Sequence, residues 1–323
     1  MALTRCYRDG RLVAEGFPIA QVSDHLAEKG STVWFDLCQP TAADLAAISE
    51  ELGLHPVAVE DAANVHQRPK LDHYPTHLFL TAYSTRLDTT TGVLDTDEIA
   101  AFITDDALVT VRKTENFDIA DVMARWDSDS DLARTGVSFL VHGLLDHIVD
   151  SHFEAIQALD NSVEELEDQV FNDTVKDVAM QKRTYELRKS LVMLRRVVLP
   201  MREVVNTLLR RDLHIIDPDA MPYYQDVYDH VLRASEWTES LRDLITNAYE
   251  THLSVRSNRL NVVMKQVTSW AAIIAVPTAV TGWYGQNVPY PGFGHMSGVW
   301  TSTLLTVCGS VILYIIFRRK GWL

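Results

Sequence analysis

From Gln266 to Phe317 the chain holds no Lys, Arg, Asp or Glu, although 23% of its 323 residues are charged. A stretch of that length without charge excludes an ordinary surface and requires an apolar surrounding. Cysteine is nearly absent as well. Cys6, Cys38 and Cys308 share no metal-ligand spacing, which excludes a zinc cluster or a disulfide framework and fits a reducing compartment. Basic residues are outnumbered, 29 Lys and Arg against 44 Asp and Glu, for a formal net charge of −15. That balance excludes nucleic acid as a partner, because phosphate binding needs clustered cations. The opening MALTRCYRDGRL lacks the apolar core of a signal peptide, so a later apolar segment is expected to direct any membrane insertion. No Gly-rich phosphate loop, HExxH motif or nucleophile–base set is present, and no cofactor is implied.

Two apolar runs occupy the uncharged window, residues 267–284 (VTSWAAIIAVPTAVTGWY) and 299–317 (VWTSTLLTVCGSVILYIIF). Each has about 18–19 residues, enough to cross a hydrocarbon core of ~30 Å at 1.5 Å per residue. A pair of buried core helices is the alternative, but buried helices of that length carry charged edges. The intervening residues 288–298 (VPYPGFGHMSG) hold three glycines and two prolines, so the two spans form an antiparallel hairpin. Arg256, Arg259 and Lys265 precede the first span and Arg318, Arg319 and Lys320 follow the second, while the connection has no Lys or Arg. The positive-inside rule then places both termini, including the basic tail 318–323, in the cytoplasm and only the connection outside. Trp283, Tyr284, Tyr290 and Trp300 mark the outer interface.

Upstream, residues 1–130 read as a mixed α/β domain. Residues 32–37 (TVWFDL) form a strand candidate, and Thr41 with Asp44 forms a capping box that opens a helix with Leu45, Ile48 and Leu52 on its apolar face. Residues 77–83, 98–104 and 107–112 are β-rich, with Asp105-Asp106 as a turn between the last two. His55, Glu60, Asp61, His66 and His73 match no zinc spacing and are read as surface or packing residues.

Residues 137–217 read as an antiparallel helical hairpin. Leu140, Leu144, Ile148, Ile156, Leu159 and Val163 recur at helical steps, opposite an acidic face that includes Asp146, Asp150, Glu154 and Glu164. Asn172-Asp173-Thr174 breaks the run, and the following helix is basic, with Lys176, Arg188, Arg195 and Arg211 among its cations. The two faces are expected to be complementary, and Pro200 to kink or interrupt the second helix. A third helix starts near Pro218–Pro222 and runs as a stalk through residues 218–266 into the first span. At about 63 residues it would reach roughly 95 Å.

One hairpin cannot enclose an aqueous path, so such a path requires an oligomer with the first span on the axis. A seven-residue step puts Met264, Ala271, Thr278 and Gly285 on one stripe, with Val267 and Thr268 beside it. Thr268, Thr278 and Thr281 offer oxygens, or alternatively satisfy carbonyls of their own helix.

The Tyr284-Gly285-Gln286-Asn287 sequence ending the first span, the short connection, the second span and the tail Arg318-Arg319-Lys320-Gly321-Trp322-Leu323 resemble the CorA-type divalent-cation transporters. The resemblance extends to residues 54–61 (LHPVAVED) and Gln67-Arg68-Pro69-Lys70, and so covers nearly the whole chain. The family signature is Tyr-Gly-Met-Asn, with Gly-Ile-Asn in the zinc-transporting ZntB branch; Gln286 departs from both. The resemblance implies an α+β fold: a cytoplasmic α/β domain, a long helical stalk and two C-terminal transmembrane helices, assembled as a homopentamer in the cytoplasmic (inner) membrane bilayer. It implies Mg²⁺, or Co²⁺ or Ni²⁺, as substrate and as cytoplasmic regulator. Residue by residue, it makes Asn287 the outer ion-binding ring within Gly285-Gln286-Asn287, Thr278 a mid-pore ring and Asn261 a further pore-facing amide. Met264 and Val267 become the hydrophobic gate, and Glu250 a regulatory metal position. A ZntB-like Zn²⁺ transporter is the alternative within transport. A membrane-anchored sensor or enzyme is the alternative outside it.

Overall fold

The computed structural model describes residues 2–64, 67–128, 132–170, 177–210 and 216–323. The chain divides into two compact units, Met1–Ala248 and Tyr249–Leu323. The expected break at Asn172-Asp173-Thr174, and the His66, Lys176 and Arg211 positions, lie outside the described residues.

The first unit is built on a seven-stranded sheet. In chain order the strands are β1 (Ala2–Arg8), β2 (Arg11–Glu15), β3 (Ser31–Cys38), β4 (Lys70–His73), β5 (Leu78–Asp88), β6 (Val93–Ile103) and β7 (Ala107–Arg112). Their spatial order is β2-β1-β3-β7-β6-β5-β4, with β3 and β7 parallel and the other neighbours antiparallel. The central strands are nearly all buried, so both faces of the sheet are covered. Period-two alternation divides them: Val33, Phe35 and Leu37 of β3 join Val109 and Val111 of β7 under α1 (Val22–Leu26), α2 (Ala42–Leu52) and α3 (Pro56–Ala63). Trp34 and Leu108 turn to the other face, where they meet α4 (Ile119–Ser128) and α5 (Val137–Val170), with parts of α6 (Asp177–Leu208) and α7 (Met221–Tyr284). Each fully buried apolar side chain of this kind contributes about 1.5–3 kcal/mol.

Local chemistry fixes the joints. Thr41 Oγ1 accepts from the Asp44 amide (3.2 Å) and Asp44 Oδ2 accepts from the Thr41 amide (2.8 Å), completing the capping box of α2. Gly53 ends that helix at φ +61°, where a side chain would be strained. On the α5 face lies a fully buried carboxylate, Asp36, held by both Nε (3.0 Å) and Nη2 (2.6 Å) of Arg112. Thr110 Oγ1 donates to the same carboxylate at 2.7 Å, and the Trp34 indole donates to Thr110 at 3.2 Å.

The long helices follow their periodicity, with two differences from expectation. Helix α6 continues through Pro200 without interruption. Among the described residues no ion pair joins α5 to α6: Asp146 and Asp150 of α5 close on Arg125 of α4, each at 2.6 Å, and Arg195 of α6 closes on Glu239 of α7. Most of what α5 and α6 bury is apolar, including Leu159, Val163 and Leu166 on α5 and Leu187, Leu191 and Leu194 on α6. The physical reason is magnitude, since an exposed ion pair contributes ~0.2–1 kcal/mol and a buried leucine more.

Candidate pore face

The second unit consists of the end of α7 from Tyr249, a connection, and α8 (Met296–Arg319). Both helices contain stretches long and apolar enough to cross a membrane. They touch where α8 carries glycine: a Cβ on Gly309 would lie 2.9 Å from Val276 Cγ1. The helices thus approach closely without an intervening side chain, as small residues allow within a bilayer.

The seven-residue stripe on α7 is uncovered within the chain. Met264, Ala271, Thr278 and Gly285 are exposed, as are Asn261, Val267 and Thr268. Glu250, at the start of the unit, is exposed too. Ser269, two residues from Ala271 of the stripe, is fully buried. Every residue from Arg256 to Thr268 is exposed, so this part of α7 is left largely uncovered by the described residues of the single chain.

The threonines on this helix use their hydroxyl protons locally. Thr278 Oγ1 donates to the Ile274 carbonyl at 3.1 Å, and Thr281 Oγ1 donates to the Pro277 carbonyl at 2.8 Å. Both uses considered from sequence are compatible, because a hydroxyl that donates inward keeps its lone pairs directed outward.

Helix α7 ends at Tyr284, with the Gly285 amide on the Thr281 carbonyl (2.9 Å) and the Gln286 amide on Trp283 (3.4 Å). The chain turns left-handed at Asn287, φ +50°. Asparagine tolerates that conformation better than most side chains. Gln286 and Asn287 are both exposed. Beyond them the connection is packed by aromatic edges, Tyr284 on Tyr290 (4.7 Å) and Tyr290 on Phe293 (5.2 Å). It closes where a Cβ on Gly298 would fall 2.6 Å from the Gly292 carbonyl oxygen. At the far end of α8, the amides of Gly321 and Trp322 return to the carbonyls of Arg318 and Phe317, and Gly321 is left-handed at φ +67°. This cap stacks Trp322 on Phe317 at 5.6 Å and holds the Lys320 ammonium over the indole.

His55 and Asp61 of the LHPVAVED block have local roles in the first unit. His55 Nδ1 caps α3 by accepting from the Val57 amide, and Asp61 pairs with Lys70 at 2.6 Å. A feature not legible in the sequence is a cavity of about 530 Å³ that gathers Asp97, Asp118, Asp121, Asp150 and Glu154 around Arg125 and His147. Burial, reinforced by Arg125, holds the His147 imidazole below its ordinary pKa. Among the described residues, no three His, Cys, Asp or Glu side chains converge closely enough to hold a metal ion.

Comparison with known proteins agrees with this architecture. The cobalt/magnesium transport protein CorA of Thermotoga maritima is 29% identical over 85% of this chain and 79% of its own length. The zinc transport protein ZntB of Yersinia enterocolitica is 24% identical over 82% of this chain and 80% of its own. The CorA magnesium transporter of Methanocaldococcus jannaschii superposes with a TM-score of 0.82 over 100% of this chain and 99% of that one, at 23% identity, a likeness of fold. A family model described as "CorA-like Mg2+ transporter protein" matches residues 29–319, so the chain belongs to that family of divalent-cation transporters and is not an enzyme.

Proposed function

We propose that the chain assembles as a homopentamer in the cytoplasmic membrane and conducts divalent cations, Mg²⁺ foremost, along an axis lined by α7, with both termini in the cytoplasm. The observation that carries this reading is an apolar helix that the single chain leaves almost wholly uncovered, with Met264, Ala271, Thr278 and Gly285 in one seven-residue stripe along it. Among the described residues nothing covers that stripe, and symmetry-related copies would.

The order of side chains gives the path its function. Mg²⁺ holds its water tightly and takes oxygen ligands at ~2.0–2.1 Å, so full dehydration at the entrance is costly. A ring of Asn287 amide oxygens at the outer end accepts hydrogen bonds from the coordinated waters and takes the hydrated ion whole. Carboxylates there would hold the ion too long, and conduction needs release as well as capture. Thr278 offers a second ring of lone pairs. Met264 and Val267 form an apolar constriction at the inner end that opens by wetting, and Asn261 receives the ion beyond it. The excess of acid supplies regulation: five chains at a net −15 each repel one another, and divalent ions bound near Glu250 offset that repulsion and favour the closed state.

The test separates backbone from amide. Asn287→Gly keeps the left-handed turn and removes the oxygen; Asn287→Ala removes both. Mg²⁺ uptake is expected to fall to background in both variants while membrane insertion and oligomer size are unchanged. Normal uptake by Asn287→Gly would show that the amide is not a ligand. The Zn²⁺ reading has one observation of its own, Gln286 in place of the usual methionine, and uptake of Zn²⁺ in preference to Mg²⁺ by the unaltered protein would favour it.

A further inference from the structure

Helix α6 carries two apolar stripes. The inner one, including Met180, Leu187, Leu191 and Leu194, is buried in the first unit. The outer one is Val178, Tyr185, Val192 and Leu199, which are 77, 64, 51 and 38% exposed. The spacing is seven residues at every step, so these side chains form one line roughly 32 Å long. Periodicity of this kind on a solvent-facing side is the pattern of a helix that packs against another helix. The line is flanked by exposed Lys182, Arg188, Lys189, Arg196 and Arg202. Helix α5 presents the opposite surface, with Glu154, Glu164, Glu165, Glu167 and Asp168 exposed.

These charges select the geometry of association. Two α6 stripes facing each other across a two-fold axis would set one basic row against another. A head-to-tail arrangement sets the basic row of one copy against the acidic row of the next, and each copy offers both surfaces, which is the requirement for a closed ring. We propose that the outer stripe of α6 docks on the acidic face of α5 of the neighbouring copy. The apolar line would rest on the methylene stems of the α5 glutamates, with ion pairs on either side.

The contact is secondary. A strip about 32 Å long and one helix wide buries on the order of 300 Å² per copy, well under the ~800 Å² per partner of a stable free-standing interface. It therefore forms only between copies already held together elsewhere, and so rests on the homo-oligomer proposed above. Because its ion pairs lie at a solvated rim, raised salt weakens it.

The experiment uses the full-length protein in its membrane, with Cys6, Cys38 and Cys308 replaced by serine. Two differently tagged copies are co-expressed, one bearing Val192→Cys and the other a single cysteine scanned through Glu154, Asn161, Glu165 and Asp168, and a short bis-maleimide is added. The expected result is a mixed-tag dimer at one or more of the four positions, several-fold above that from Val192→Cys copies alone and reduced at high salt. Native mass measurement of the same sample reports the oligomer independently. An intact oligomer with no mixed-tag link at any position overturns the docking and leaves the oligomer standing. Equal linking among Val192→Cys copies alone also overturns it, by showing α6 against α6. A monomeric mass overturns both proposals. A polarity-sensitive dye on Val192→Cys that shifts to the blue in anionic liposomes but not in detergent would assign the stripe to the membrane surface instead.

Discussion

His152 gives the first unit a defined response to acid. The side chain lies on α5 with 1% of its surface exposed, and Nε2 donates to the Tyr83 carbonyl of β5 at 2.8 Å. Nδ1 is buried without a hydrogen-bond partner, so a second proton would place a charge in apolar surroundings. Burial, only partly opposed by the bond to Tyr83, pushes the imidazole from 6.5 down to about 4. The unfolded chain takes up its proton near 6.5, whereas the folded chain resists until about 4. Between those values the unfolded state holds more protons, so stability is fully present above the unfolded value and is lost as pH falls towards the folded one. A shift of about 2.5 units at 1.36 kcal/mol each is about 3 kcal/mol at the acid limit, and about 1.4 kcal/mol near pH 5.5. For a unit of this size, about 1.4 kcal/mol corresponds to roughly 3–6 °C in Tm. His77 and His147 are depressed by burial as well, so the whole acid response exceeds that of His152. The difference between two proteins isolates it. His152→Gln keeps a side-chain N–H for the Tyr83 carbonyl and does not titrate. Thermal unfolding of the full-length protein in detergent, followed from pH 7.5 towards 5, is expected to show a shallower loss of Tm in the variant by that amount. Parallel curves would refute the assignment of a buried neutral imidazole.

Three further perturbations probe the second unit and its regulation. Gly309→Leu drives a side chain into Val276 and is expected to abolish uptake and lower oligomer yield, with Gly309→Ala intermediate, read by uptake and native mass. Gln286→Met is expected to raise Mg²⁺ uptake relative to Zn²⁺ and Co²⁺; an unchanged series would show that this side chain does not face the ion. Glu250→Lys supplies a fixed positive charge where a regulatory ion is proposed, and is expected to slow proteolysis of the first unit in the absence of Mg²⁺. If added Mg²⁺ leaves the cleavage rate of the unaltered protein unchanged, regulation by cytoplasmic ions is wrong.

The long elements were legible because their patterns repeat many times. The helical step from Leu140 to Leu166 runs through most of α5, and the uncharged window marks the end of α7 and α8. In the sheet, residues 32–37 and 107–112 were legible as β3 and β7 because buried strands are continuous apolar runs. Strand β1 was not, since ALTRCYR reads as a polar segment. Its Arg5 is buried only because Glu15 (2.8 Å) and Asp127 (3.0 Å) arrive from β2 and from α4. Likewise, nothing in the sequence pairs Asp36 with Arg112, which meet through the parallel register of β3 and β7. On the candidate pore face the seven-residue stripe could be counted directly. The left-handed turn at Asn287 could not, because it depends on how the chain leaves α7 after Trp283. The outer stripe of α6 has the same seven-residue step, but it was masked by the stronger inner stripe on the same helix.

The inward bonds of Thr278 and Thr281 have a consequence for protons. A chain of hydroxyls and waters relays protons only if each member can accept from one neighbour and then rotate to donate to the next. With their own hydrogens committed to the carbonyls of Ile274 and Pro277, these two hydroxyls turn only lone pairs outward. Releasing either hydrogen means breaking a bond to the helix backbone, at about 1 kcal/mol or more. Where α7 lines a conduction path as proposed, these two side chains would therefore act as fixed acceptors for ordered water and not as members of a proton relay.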